Sequence, residues 1–244
     1  VAKQTGLGDR FAVGGYELSG DIGSIQQING GPAALEVTGI DKDGPERLGG
    51  DRNGGMSFTA WFNDAAGRAH PALAALPRTD TIATYGRGAL IGNAGAACYG
   101  LQIDYNPTRG QDGSLSFAVA VQSDGYGLEW GEQLTNWVRT DTTGTNGASL
   151  DGGAATTNGA QFYLHMTSVT GTSCTVKIQD SADNSSWADL SGAAFSAVNA
   201  GAVSAQRIAV SGTVRRYLRA VSTGTFSNAQ FQVLAVRNQT AVVF

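Results

Sequence analysis

Residues 35–62 read LEVTGIDKDGPERLGGDRNGGMSFTAWF, and the way this stretch folds decides the class of the chain. Leu35-Glu36-Val37-Thr38-Gly39-Ile40 alternates apolar and polar side chains with a period of two, and Met56-Ser57-Phe58-Thr59-Ala60-Trp61-Phe62 does the same. On a pleated strand that period places the apolar residues on one face, so both segments predict β-strands half-buried against a core. Between them, Asp41 to Gly55 holds seven charged residues, five glycines and one proline. A hairpin closes with roughly two to five residues, so this segment predicts a loop with about a dozen polar residues to spare. A surplus of that size is either plain mobility or a docking function outside the domain. For the second reading the candidate docking residues are Asp41, Lys42, Asp43, Glu46, Arg47, Asp51 and Arg52.

Working outward, strand patterns continue at Thr81–Tyr85, Ala97–Tyr105 and Ser114–Val121. One segment differs: Ala69–Pro77 is rich in Ala and Leu, with Pro71 where a first helical turn tolerates it and Pro77 where a helix stops, and it predicts one short helix. Beyond it, Thr140–Gly159 is built almost entirely of Thr, Gly, Asn, Ala, Ser and Asp, the makeup of a flexible linker. The remainder carries short β-branched runs at Phe162–Met166, Cys174–Asp180, Ala205–Val210, Arg216–Val221 and Phe231–Arg237, separated by Gly, Ser and Asn. Short strands at nearly even spacing predict a second, all-β sandwich. The fold class is therefore mainly β, in three parts: residues 1–139 with an N-terminal arm and the 41–55 loop, a linker at 140–159, and a sandwich at 160–244.

Of 244 residues, 41% are hydrophobic, which fills real cores, while only 15% are charged against about 25% in an average soluble protein. Glycine, at 35 residues, is about twice its usual share. Few surface charges suggest a surface covered by further copies of the chain. Residues 1–150 carry ten basic and sixteen acidic side chains, a balance of −6, and residues 151–244 carry six and four, a balance of +2. An acidic chain lacks the basic stripe of a sequence-reading DNA-binding protein. There is no apolar run of about 18 residues to span a bilayer. The opening VAKQTG lacks the apolar core of a secretory signal, so the product is read as soluble and made in a cytoplasm.

Residues able to do chemistry are sparse. His70 and His165 fall in different parts, and no GxSxG, HExxH, P-loop or CxxC is present. Cys98 and Cys174 read as buried free thiols. Glu129 with Glu132, and Asp180 with Asp183, are the carboxylate pairs a glycosidase would require, but QDSADNSSW reads better as an Asx-rich turn. Trp187, Tyr217, Phe162 and Tyr163 would be the aromatic face of a sugar site, against the commoner role of core. The reading is no catalytic residue, no metal ligand, no cofactor, and not an enzyme.

The order of elements and several stretches resemble a known family. AKQTGLGDRFAVGGYELSGDIGSI at 2–25, LEVTGIDK at 35–42, PERLGG at 45–50, GGMSFTAWFN at 54–63 and AHPALAALP at 69–77 look like the major tail tube proteins of long-tailed bacteriophages that infect actinobacteria. KIQDSADNSSWADL at 177–190 and RRYLRAVSTGTFSNAQFQV at 215–233 look like the β-sandwich module often appended to such proteins. The resemblance implies a structural virion protein, assembled in the bacterial cytoplasm as hexameric rings stacked into the tail tube. Its partners would be further copies of itself, other tail proteins at the tube ends, and DNA sliding through the lumen without sequence-specific binding; no membrane is involved. The 41–55 loop would reach the neighbouring ring, the arm at Val1–Gly20 would add intersubunit contacts, and 160–244 would decorate the outside. Acidic residues facing a lumen would repel phosphates. A capsid-decorating or host-surface-binding β-sandwich protein is the alternative.

Overall fold

The computed structural model describes residues 5–240. Strands β1 (Arg10–Val13), β2 (Tyr16–Glu17), β3 (Ile22–Glu36) and β4 (Arg47–Trp61) precede the single helix of the described residues, α1 (Ala69–Leu73). Then come β5 (Thr81–Gly86), β6 (Ala94–Gln102), β7 (Asn106–Arg109) and β8 (Leu115–Gln133). β9 (Arg139–Asp141) and β10 (Leu150–Asp151) lead to β11 (Ala160–Ser181), β12 (Trp187–Ala194), β13 (Val198–Asn199), β14 (Ser204–Val210) and β15 (Tyr217–Arg237). The fold is mainly β, and its strands join in one antiparallel sheet in the order β12-β11-β15-β8-β6-β5-β1-β2, with the β3–β4 hairpin attached through β4 to β8.

Two cores follow from the period of two. Met56, Phe58 and Ala60 of β4 point inward beside Phe117, Val119 and Val121 of β8, with Phe11 and Val13 of β1, and α1 closes this core with Ala69 and Leu73. The second core takes Phe162, Leu164 and Met166 of β11 with Phe231, Val233 and Ala235 of β15. The intervening residues of β11 are buried too, because their face packs on the first half. Tyr163, Leu234 and Val236 meet Ile82 and Ala97 there. Some polar groups in this seam are paired: the Tyr163 hydroxyl donates to Glu129, Arg207 lies 3.4 Å from the same carboxylate, and Trp137 Nε1 donates to Glu17 at 3.0 Å, whereas the side-chain amide of Gln232 is buried without a hydrogen bond among the described residues. β8 pairs directly with β15 at Gln133↔Leu234.

Several expectations are corrected here. The 41–55 segment is a loop only at its start, since Arg47 to Gly55 belongs to β4 and pairs with β3 from Glu36↔Arg47 to Asn29↔Gly55. Conversely, Val37 to Ile40 lies beyond the end of β3. The glycines hid this strand pair: alternation is invisible where adjacent side chains are missing, as at Gly30-Gly31, Gly49-Gly50 and Gly54-Gly55, or where neither face is buried. The arm is also partly core, because Phe11, Ala12, Val13 and Leu18 are buried and β1 pairs with β5; residues 1–4 of that arm lie outside the described residues. The 140–159 segment does not hang free. It lies antiparallel along β15: Asp141 pairs with Ala229, Asn146 bridges Val221, Leu150 pairs with Leu218, and the Thr156 amide donates to Val214. Small side chains do not prevent a backbone from satisfying its hydrogen bonds on an open strand edge. Asp141 is buried there, bound by the Arg139 guanidinium and the Ser222 hydroxyl. Finally, α1 ends at Leu73 rather than at Pro77, and Leu76, held before Pro77, turns to φ +44°.

Candidate assembly interface

The β3–β4 hairpin is the part of the molecule that leaves the body. β4 pairs with β8 only from Gly55↔Gln122 to Trp61↔Ser116, so residues 47–54 have no ladder partner except β3 among the described residues. At about 3.3 Å per residue, this outer half reaches about 25 Å beyond the last β4–β8 pair. Leu128 of β8 packs against its neck, so closely that a Cβ on Gly30 or Gly54 would lie 2.7 Å from the Leu128 Cβ. Glycine at both positions is what lets the hairpin pass over β8.

The tip is closed by backbone and side-chain bonds: the Val37 amide donates to the Glu46 carbonyl at 2.9 Å, and the Glu46 amide to Thr38 Oγ1 at 3.1 Å. Lys42 sits between Asp41 at 3.9 Å and Glu46 at 3.5 Å. Asp41, Lys42, Asp43 and Glu46 thus cluster at the tip, while Arg47, Asp51 and Arg52 lie along β4, all exposed. The charges are not the whole surface. Leu35 and Leu48 face each other across the two strands at 51% and 59% exposure, and Ile40 projects fully into solvent.

A second feature is the free edge of β3, which pairs only with β4 among the described residues. From Ile22 to Leu35 it carries no charged side chain. Long uncharged edges are what soluble proteins usually blunt with lysines, because unpaired N–H and C=O groups template further strands. Sequence reading missed this edge and the apolar tip. The signal was present in IGSIQQINGGPAAL, fourteen residues without a charge, but it alternates too weakly to read as a strand.

The residues weighed for chemistry are placed apart. His70 Nδ1 lies 2.6 Å from the Tyr105 hydroxyl on the first core, whereas His165 is fully buried in the seam. Glu129 is buried and engaged by Tyr163 and Arg207. Asp180 accepts two guanidinium N–H groups of Arg215 at Oδ1 and the Arg215 amide at Oδ2, and Asp183 accepts the Ser186 and Ser185 amides, which holds its carboxyl far below the ordinary range and makes the Asx turn the sequence suggested. Phe162 and Tyr163 are buried, so they share no exposed face with Trp187 and Tyr217. Cys98 and Cys174 are buried free thiols, and burial pushes Cys98 up to about 12. Among the described residues no group of three or more His, Cys, Asp or Glu is placed to hold a metal ion, and no helix is long and apolar enough to cross a membrane.

The fold and this surface define a mainly-β protein with a projecting, partly apolar hairpin. No protein-family model matches the chain, and no curated protein matches it. Among solved structures it is similar to the Dit protein (gp 19.1) of phage SPP1, described as a hub adsorption-apparatus protein of phages infecting Gram-positive bacteria, at 12% identity over 94% of this chain and 99% of that one, with a TM-score of 0.34. It is also similar to a chain of the phage p2 baseplate in its activated conformation with Sr, at 8% identity over 96% and 99% of the two chains, with a TM-score of 0.30. TM-scores this low do not establish a shared fold.

Proposed function

We propose that this chain is a structural subunit of a long-tailed phage tail, assembling with copies of itself as stacked, hexameric rings that form the tube for DNA, with residues 160–244 turned outward. The observation that carries the reading is the β3–β4 hairpin. An isolated two-stranded ribbon is marginal in water, yet here the outer halves of two 15-residue strands project with Leu35, Leu48 and Ile40 exposed at the end. Such a ribbon gains its stability from a surface on another molecule, and the uncharged β3 edge offers further strand pairing to the same kind of neighbour. The family likeness of the sequence supports the tube as the product.

The test replaces residues 33–51 by Asn-Gly, a two-residue turn joining the paired positions Pro32 and Arg52. The first core is untouched, because its hairpin members are Ile22, Ile25, Ile28, Met56, Phe58 and Ala60. By negative-stain electron microscopy the full chain is expected to form rings and open-ended stacks. The shortened chain is expected to stay monomeric with its melting temperature changed by only a few degrees. Stacks of normal length from the shortened chain would remove the docking role. Discrete trimers, or monomers that bind capsid or cell wall, would favour the decorating or host-binding alternative.

A further inference from the structure

A cleft lined by two arginines lies on the same chain as the acidic hairpin tip, at the opposite end of β4. A cleft of about 720 Å³ opens where the β1–β2 turn, the loop before α1 and residues 136–138 meet, and its lining includes Arg10, Glu17, Arg68 and Trp137. It belongs to the Trp61 end of β4: the Trp61 amide donates to the Asp21 carbonyl at 2.8 Å, and the Asp21 carboxylate accepts the Ala69 amide, next to Arg68, at 3.2 Å. The tip lies beyond the Arg47 end. Fifteen residues of strand therefore separate tip and cleft by about 45 Å.

The two surfaces match in charge. Arg10 and Arg68 make no ion pair among the described residues, and Arg10 Nε is buried without a hydrogen bond. The one carboxylate lining the cleft, Glu17, accepts from Trp137 Nε1 and from the Ser19 amide at 3.3 Å. At the tip, residues 36–46 carry Glu36, Asp41, Asp43 and Glu46 against Lys42 alone, a balance of −3. Lys42 is held by Asp41 and Glu46, which leaves Glu36 and Asp43 without an ion pair among the described residues.

We infer that the hairpin tip of one copy seats in the Arg10–Arg68 cleft of the next copy, with Asp43 against the two guanidinium groups. This rests on the reading that the chain assembles with itself. The contact joins two different surfaces at opposite ends of one strand, so it is heterologous, and with the copies offset along β4 it adds one copy after another as an open stack requires. Guanidinium–carboxylate pairs in a partly dehydrated cleft fix register and exclude wrong partners better than the same pairs on open surface.

The experiment uses full chains in two populations, Asp43→Cys and Arg68→Cys, mixed at high concentration and oxidised. The native Cys98 and Cys174 are buried and do not compete. Disulfide-linked pairs are expected in the mixture and absent from either population alone. In parallel, Arg68→Glu is expected to raise the concentration needed for stacking at least about tenfold, with Asp43→Arg in the same chain restoring it. Arg68 is exposed, so near-ultraviolet circular dichroism of its variant is expected to match the parent. Stacks that form without a 43–68 cross-link and survive Arg68→Glu would overturn the cleft as receptor while leaving self-assembly in place. A parent chain that never stacks would overturn both.

Discussion

The imidazole of His165 accepts the Gly15 amide at Nδ1, 3.1 Å away, so its proton sits on Nε2 and is donated to Thr84 Oγ1 at 2.8 Å. Both partners belong to the first half and His165 to the second, so the neutral ring ties the halves together and the imidazolium, with no acceptor at Nδ1, cannot keep the Gly15 bond. Burial pushes this group down to about 3 from an ordinary 6.5. Between those values the unfolded chain binds a proton that the folded chain does not, so the contribution is complete above the ordinary value and is lost as pH falls toward 3, at about 1.4 kcal/mol per unit. Urea unfolding is expected to show a loss of about 2 kcal/mol between pH 7.5 and 5, with a flatter profile for His165→Gln. Asp151 and Asp183, held below the ordinary carboxylate range by Arg216 and by the Ser186 amide respectively, weaken the fold only at lower pH, so they do not confuse that window. A profile that stays level down to pH 5 would show that His165 is not held neutral in the seam.

Among the elements, the hairpin neck offers the sharpest comparison. Gly54→Val drives a Cβ to 2.7 Å from both the Cβ and the backbone nitrogen of Leu128, whereas a side chain on Gly44 at the tip meets nothing. Gly54→Val is expected to destabilise by about 1–3 kcal/mol and Gly44→Ala by almost nothing, as read by thermal unfolding. How much of this was legible in the sequence follows from how each strand is buried. Met56 to Phe62, with one face in a core and one in solvent, shows its period in the sequence, although its strand begins at Arg47 and ends at Trp61. β11 and β15 each read as two short strands instead of one long one, because their middles, TSVTGTS at 167–173 and STGTFSNAQ at 222–230, are polar and each holds a glycine at positive φ, Gly171 and Gly224. β3, buried on neither face over its outer half, gave no period at all. The charged residues of the docking segment were visible as composition, but the apolar tip and the free edge emerge only once β3 and β4 are paired.

For the whole molecule, the seam bears on whether residues 160–244 are a separable decoration. The sequence divides the chain at 139 and 160, yet β8 pairs with β15, and Ile82 and Ala97 are covered by Tyr163, Leu234 and Val236. Uncovering Ile82 alone costs about 2 kcal/mol, a sizeable part of an ordinary domain's margin. A chain ending at residue 139 is expected to precipitate or to unfold at clearly lower urea than the whole; unfolding at the same urea would mark the second half as a true appendage. The charge balance also takes a different meaning in three dimensions: Asp21, Glu129 and Asp141 are buried and Asp9 is bound by Arg87, so those carboxylates do not line a channel. Meanwhile Glu36, Asp41, Asp43, Glu46 and Asp51 gather on the hairpin. Strand β15 runs beside β11 from Tyr217 to Arg237 and joins β8 near its end. A tensile load on the second half therefore loads the β15–β11 pairs in shear and passes to the first half through the Leu234↔Gln133 and Ala235↔Glu132 pairs and the side chains of the seam. Mechanically this half is a handle bolted to the frame that carries the projecting ribbon, and twisting the one turns the other.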